Sequence, residues 1–371
     1  MKLKNIHIEN IKCFEDYTVE LLKPETQEPL NVCVMVGPNG CGKSTIMEAL
    51  VSALTTADET YGGRILDEKA IKCGQDSCDI KLSFSLNDEE KALFGTEKNE
   101  FVIFNRKERT TDSDEEKFSD YLLYPEELWG EICGDGGKAI SDELESERNQ
   151  YVKYLSAFIK NKQTGCILYF DAFRYLPTTS PNGINMDIIP NTRSGSLMSN
   201  VNPDNMISNK YFNVKQWLLN LDYMRLKEEG GYYKQVYEHV LRALEMLFQP
   251  LSILEIDTSG NIIFQDGSTG EKIGIDMLSD GFKNLFLIVG AVIMRLSTMG
   301  GDENTPFYMN EAIVLIDEID CHIHPRWQRN IIPGLKKLFP NCQYIVSTHS
   351  PYILESVQEY EIKQIGEKNI V

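Results

Sequence analysis

The chain has 371 residues, with 56 Asp plus Glu against 37 Lys plus Arg and a formal net charge of −19. Its 42% hydrophobic and 25% charged content is that of a globular chain able to bury a sizeable core, so general disorder is excluded, and so acidic a chain is a poor coat for bare DNA without a local basic patch or a basic partner. Nine scattered cysteines without a CxxC pair point to free thiols in a reducing compartment, and no apolar run reaches the roughly 18 residues of a membrane span, so a cytoplasmic protein with no membrane partner is expected.

The N-terminal Met-Lys-Leu-Lys-Asn-Ile-His alternates apolar and polar residues and reads as a strand, not as a signal peptide. Residues 3–9 and 17–22 are predicted as two short strands, Val32 to Val36 as a buried parallel strand, and 43–54 as a helix with one apolar stripe. Asp79 to Leu86 alternates as a further strand. Residues 87–160 are charge-rich and read as an insertion with helical parts, among them an amphipathic helix near 142–160. Its acidic runs at 108–117 and 141–148 are ordinarily solvated faces. Cys166 to Phe170 is another apolar strand, and 178–209 is a long polar loop. Helices are expected at 212–226 and 232–247, a hairpin at 253–257 and 261–265, a helix at 281–297, a strand at 312–316, a helix at 326–338 and a strand at 343–347. The segments group into an N-terminal lobe (1–86), an insertion and helical region (87–250) and a C-terminal lobe (251–371).

Between the strand at 32–36 and the helix at 43 lies Gly37-Pro38-Asn39-Gly40-Cys41-Gly42-Lys43-Ser44-Thr45, a match to G-x-x-x-x-G-K-[ST] in the strand–loop–helix setting that a P-loop requires. Its glycines let main-chain N–H groups curl around phosphate oxygens, and the helix start adds its positive end. Asn39, Gly40, Cys41, Gly42, Lys43, Ser44 and Thr45 are therefore expected to bind ATP, with Lys43 on the β- and γ-phosphates and Ser44 on Mg²⁺. Ile313-Val314-Leu315-Ile316-Asp317-Glu318 delivers two carboxylates to the end of a strand. Asp317 is expected to bind Mg²⁺ and Glu318 to act as general base. His349, just beyond the strand at 343–347, can donate to the γ-phosphate. Leu278-Ser279-Asp280-Gly281 before an apolar helix reads as a second anion site or as a simple N-cap.

This set, a P-loop, LSDG, hydrophobic-Asp-Glu and a histidine after the last strand, resembles an ABC-type ATPase head of the RecF/SMC/OLD-like branch. Leu315 to Pro325 and Phe339 to Pro351 continue the likeness to AAA-15/AAA-21-type ATPases associated with OLD-family nucleases and with the Septu and PARIS anti-phage systems. The resemblance implies an α/β P-loop NTPase with a parallel core sheet, an antiparallel β subdomain and a partly helical insertion. It implies a homodimer, or a higher multiple of it, in which Ser279, Asp280 and Gly281 of one chain close on ATP held by the other and Asp320 touches the partner head. It further implies a sensor or scaffold controlling a separate nuclease or toxin effector; the alternative is an SMC/RecF-like repair ATPase that binds DNA directly. Only 22 residues follow His349, too few for the nuclease domain of OLD-family proteins. Several assignments stay open. Gln75 is a candidate Q-loop residue. Arg174 could reach phosphate, a neighbour or a structural ion pair. Lys12 and Phe14 lie where such heads place a nucleotide contact, and His322 and His324 form a His-x-His pair without an evident third metal ligand.

Overall fold

The computed structural model describes residues 2–56, 68–94, 97, 99–108, 166–174, 176, 183–184, 212–227, 231–257, 261–301 and 305–366. The expected amphipathic helix near 142–160 lies outside them, as does nearly all of the loop at 178–209.

Strand β1 (Lys2–Ile11) turns back into β2 (Phe14–Glu20), so the two predicted N-terminal strands are one antiparallel pair, in register from Asn5↔Glu20 to Ile11↔Phe14. Strand β3 (Val32–Val36) feeds helix α1 (Lys43–Thr56) through the P-loop, and β4 (Ser77–Ser85) pairs with β1 on its other side. Residues 87–108, read from sequence as the start of an insertion, instead form helix α2 (Asp88–Phe94) and strand β5 (Glu100–Glu108). Asn87 and Glu90 exchange side-chain to main-chain hydrogen bonds of 2.8 Å in a reciprocal N-cap, which starts α2. The apolar run Phe101 to Phe104 seats β5 on β4, and Arg106 grips Asp79 with two bonds of 2.8 and 2.7 Å. The antiparallel sheet β2-β1-β4-β5 is thus complete only at Glu108. The charge of the flanking residues hid this short apolar run.

After β6 (Cys166–Phe170) come α3 (Phe212–Lys227) and α4 (Tyr232–Leu247). A small sheet follows, of β7 (Leu251–Ile256), β8 (Ile262–Asp266) and β9 (Lys272–Gly274), then the apolar helix α5 (Asp280–Thr298). The chain continues as β10 (Ala312–Ile316), α6 (Pro325–Leu338), β11 (Gln343–Ser347), the short α7 (Pro351–Leu354) and β12 (Ile362–Gln364). Five of these strands form the central parallel sheet, in the order β12-β3-β11-β10-β6. Period-two alternation divides its side chains between two cores. Val32, Val34, Leu168, Phe170, Val314, Ile316, Tyr344 and Val346 face α3 to α6. Cys33, Met35, Ile167, Tyr169, Ile313, Leu315 and Ile345 face α1 and the antiparallel sheet. A sheet buried on both faces explains the unbroken apolar runs seen in the sequence. Gln343, itself 1% exposed, joins the layers: its amide accepts from Leu3 N at 2.7 Å and donates to the carbonyls of Leu3 and Leu30 at 2.8 Å each.

Helix α5 is long and apolar enough to cross a membrane, but 78% of its window is buried inside the fold, where it forms the centre of one core. Nearby, His239 of α4 is buried, stacked on Tyr308 (ring centroids 4.6 Å apart) with Phe307 and Phe339 at its edges. Burial first, then the positive charge of Arg242, pushes its pKa down to about 4. The neutral ring is the one that folds, so the penalty is absent above about pH 6.5, grows as pH falls and is complete below about pH 4, where it reaches about 3 kcal/mol. Denaturant melts of wild type should lose stability across that window, and His239→Phe should flatten the loss; parallel acid limbs for the two proteins would refute it.

Candidate functional site

The P-loop begins where β3 ends and closes onto the first turn of α1, whose Ile46 N–H donates to Gly42 O at 3.0 Å. Gly40 and Gly42 have φ of 81° and 102°, a region that side chains disfavour. At Gly42 space is also closed: a Cβ would lie 2.3 Å from the Phe14 ring and 2.8 Å from Cys13 Sγ. The loop is therefore a cradle pressed against a ring at its back. Lys43 is 7% exposed, and its ammonium donates to the carbonyls of Gly37 and Pro38 at 3.0 and 3.1 Å, curled along the loop it serves. Ser44 is exposed at the start of α1, while Thr45 is buried beneath it.

Strand β11 separates β3 from β10 in the sheet, and its end links their two loops. The Thr348 amide donates to Met35 O at 3.2 Å on one side. On the other, the Ser347 hydroxyl donates to the Asp317 carboxylate and accepts the Glu318 amide at 2.8 Å. The Thr348 hydroxyl donates to Asp320 at 2.5 Å, and the His349 amide reaches the same oxygen at 3.4 Å. Asp317 is buried, whereas Glu318 and His349 stand exposed at the mouth. Glu318 has a left-handed backbone, φ 47°. A hydroxyl at Ser44 and a buried carboxylate at Asp317 are hard oxygen donors of the kind Mg²⁺ takes, and the glycine cradle suits a polyphosphate.

Ser279 caps α5, its hydroxyl accepting from Phe282 N at 3.4 Å. Asp280 is exposed and lies 3.6 Å from Lys283. Gly281 is buried against the turn after β10: a Cβ there would sit 2.1 Å from His322 O. Asn284, one turn on, donates to Cys321 O at 3.0 Å. The LSDG turn is thereby fastened to the turn that follows Asp320.

The AAA ATPase domain family AAA_15 matches residues 1–354. The chain belongs to this family. It is 25% identical over 397 residues to the retron Ec83 probable ATPase of Escherichia coli, a match spanning 98% of this chain and 71% of that protein. It is 24% identical over 351 residues to Septu protein PtuA of Bacillus thuringiensis, spanning 94% of this chain and 73% of the relative. Among solved structures it is similar to an SMC head bound to the C-winged helix domain of ScpA, with a TM-score of 0.53 at 17% identity over 100% of this chain and 96% of that one. A second SMC head, with an extended coiled coil and bound to the C-terminal domain of ScpA derived from Pyrococcus furiosus, gives 0.53 at 14%, over 99% and 94%. These likenesses are of fold.

Several sequence expectations change in this AAA_15 chain. Phe14 has no exposed surface and is the ring behind Gly42, so it buttresses the P-loop from below instead of meeting a base. Lys12 pairs with Glu48 of α1 at 2.5 Å. Gln75 is exposed in the turn that leads into β4, its main-chain N–H donating to Lys72 O at 3.1 Å. The carboxyl end of β6, next to β10, carries Asp171 instead. Arg174 is 5% exposed and faces inward, donating to the main-chain carbonyls of Asp171, Asp317 and Glu318. His324 caps α6, accepting Arg326 N at 3.2 Å, and no group of three metal-ligating side chains occurs among the described residues. Ser347 and Thr348 were passed over in the sequence, although Ser-Thr-His-Ser after an apolar strand places two hydroxyls beside the carboxylates.

Proposed function

We propose that this chain is an ATP-hydrolysing subunit that dimerises around nucleotide and controls a separate nuclease or toxin effector in anti-phage defence. The observation that carries the reading is the convergence of Lys43, Asp317, Glu318 and His349 at one end of one parallel sheet, linked through Ser347 and Thr348. In this reading the P-loop amides and Lys43 bind the β- and γ-phosphates, and Ser44 and Asp317 hold Mg²⁺. The ion, when bound, neutralises charge on the phosphate oxygens. Glu318 takes the proton of the attacking water, and His349 donates a hydrogen bond to the γ-phosphate.

The second anion turn is the argument for two chains. Ser279 and Gly281 are fastened beyond the Asp320 segment, and β11 intervenes between β10 and the P-loop strand, about two strand spacings or ~10 Å. A copy related by a two-fold axis supplies Ser279, Asp280 and Gly281 to the facing P-loop, with Asp320 at the seam. Exposed apolar side chains at Phe173 (94%) and Met277 (83%), the latter two residues before Ser279, suit a surface that another copy covers. The names of the retron and Septu relatives support the defence setting. The acidic runs at 108–117 and 141–148 would suit a basic partner such as a nuclease.

The test is size-exclusion chromatography of Glu318→Gln with ATP and Mg²⁺, alone and co-expressed with the product of the adjacent reading frame. A doubling of mass with nucleotide and co-elution of the second chain are expected at low and moderate salt. Wild-type protein that stays monomeric with ATP and Mg²⁺ while turning over ATP fully would refute the dimer. Failure to co-elute, together with tight DNA binding by the ATPase alone, would replace the effector reading with the repair reading.

A further inference from the structure

We infer that Arg174 is the positioning residue for Glu318: its guanidinium fork holds the main chain at 317–318 in the reversal that presents the Glu318 carboxylate at the site mouth. The inference rests on Glu318 being the general base. Arg174 lies in the turn directly after β6, the strand paired with β10, where Asp317 N donates to Phe170 O at 2.8 Å. From there its guanidinium donates from Nη1 to the carbonyls of Asp171 (2.8 Å) and Asp317 (2.5 Å), from Nη2 to Glu318 O (2.8 Å) and from Nε to Asn284 Oδ1 (2.5 Å).

Successive carbonyls along a strand point in opposite directions, so one group reaches two of them in a row only where the chain reverses. That reversal is the left-handed residue Glu318, φ 47°, a conformation that L-residues disfavour and that persists where surroundings impose it. Both main-chain polar groups of Glu318 are held: its N–H by Ser347 Oγ, and its carbonyl by Arg174 from the β6 side and by the Cys321 N–H (2.9 Å) from its own turn. Ser347 approaches from one neighbouring strand and Arg174 from the other. Lysine would keep the charge but not the planar fork that spans three main-chain carbonyls and a side-chain amide oxygen. Because Asn284 sits on α5, the same guanidinium also ties the base to the helix that begins with the LSDG turn.

The experiment compares Arg174→Lys, Arg174→Met and Glu318→Gln for ATP turnover, affinity for a fluorescent ATP analogue and melting temperature. Arg174→Lys should lower kcat about 10- to 100-fold, the effect of a misplacement on the order of 1 Å, with analogue affinity within about twofold of wild type and a folded melt. Arg174→Met should lose at least as much turnover; if it does not fold, the lysine variant decides. Wild-type kcat in folded Arg174→Lys, or an affinity loss as large as the kcat loss, would overturn the inference, the latter by showing general damage to the pocket. Turnover by Glu318→Gln equal to wild type would instead overturn the assignment of the base. An inactive Glu318→Gln beside a fully active Arg174→Lys would remove Arg174 alone.

Discussion

Glu318→Gln should bind ATP as wild type does and lose turnover by about 10²- to 10⁴-fold, the contribution of a positioned general base. The amide preserves shape and hydrogen bonding but cannot accept the water's proton, and the side chain is exposed, so the fold should not suffer. Lys43→Ala should fail one step earlier. Its ammonium is held at 3.0 and 3.1 Å from the P-loop carbonyls, within the loop. Removing it deletes a charge-assisted bond worth roughly 1.5–3 kcal/mol, about 10- to 100-fold in affinity. Calorimetry with ATP and a phosphate-release assay separate the two effects; comparable turnover by Glu318→Gln and wild type would sink the base assignment.

Gly281→Ala should damage both stability and turnover. The methyl group would meet the His322 carbonyl at 2.1 Å and the Ile323 Cα at 3.1 Å. These are main-chain atoms, so either α5 or the Asp320 segment must move. Overpacking of this kind costs about 1–3 kcal/mol. Gly290→Ala, in the same helix, is the comparison: its Cβ meets a single side-chain atom, Val214 Cγ1, at 2.7 Å, and no main chain of a neighbouring element. Thermal melts should therefore rank Gly281→Ala well below Gly290→Ala, and ATP turnover should fall only in the former. Equal melting of Gly281→Ala and wild type would mean that the LSDG turn is not locked to its neighbour as described.

The core strands were legible because their environment imposes a simple rule. Strands buried on both faces need unbroken apolar runs, and 32–36, 166–170, 312–316 and 343–347 coincide with β3, β6, β10 and β11. The same holds for α4, whose predicted span, 232–247, is the one observed. The glycine-rich stretch at 37–45 and the Asp317–Glu318 pair stand out in the sequence as a spaced motif and as two carboxylates after an apolar strand, and the structure brings both to one end of the parallel sheet. What escaped was set by tertiary neighbours. Strand β5 is defined by its partner β4 and was masked by flanking charge. The burial of Phe14 follows from a glycine 28 positions away. The inward turn of Arg174 depends on Asn284, 110 residues on, and on carbonyls 143 and 144 residues on, a separation no local pattern records. Ser347 was visible as a residue but not as the link between Asp317 and Glu318, because hydroxyl direction is a property of the assembled sheet.

The strand that feeds the P-loop lies between β11 and β12, so both of its neighbours come from residues 343–364. During synthesis, β3 leaves the ribosome with neither edge paired and must wait for about 300 further residues, on the order of 15–60 s at 5–20 residues per second. Over that interval an apolar strand and a glycine loop are held open, with pairing across long loops that is intrinsically slow. The nucleotide pocket is accordingly among the last parts of the molecule to form. A growing chain cannot engage ATP through this fold until the central sheet closes around β3, and shielding of that strand by a chaperone would matter more to the yield of active protein than its composition suggests.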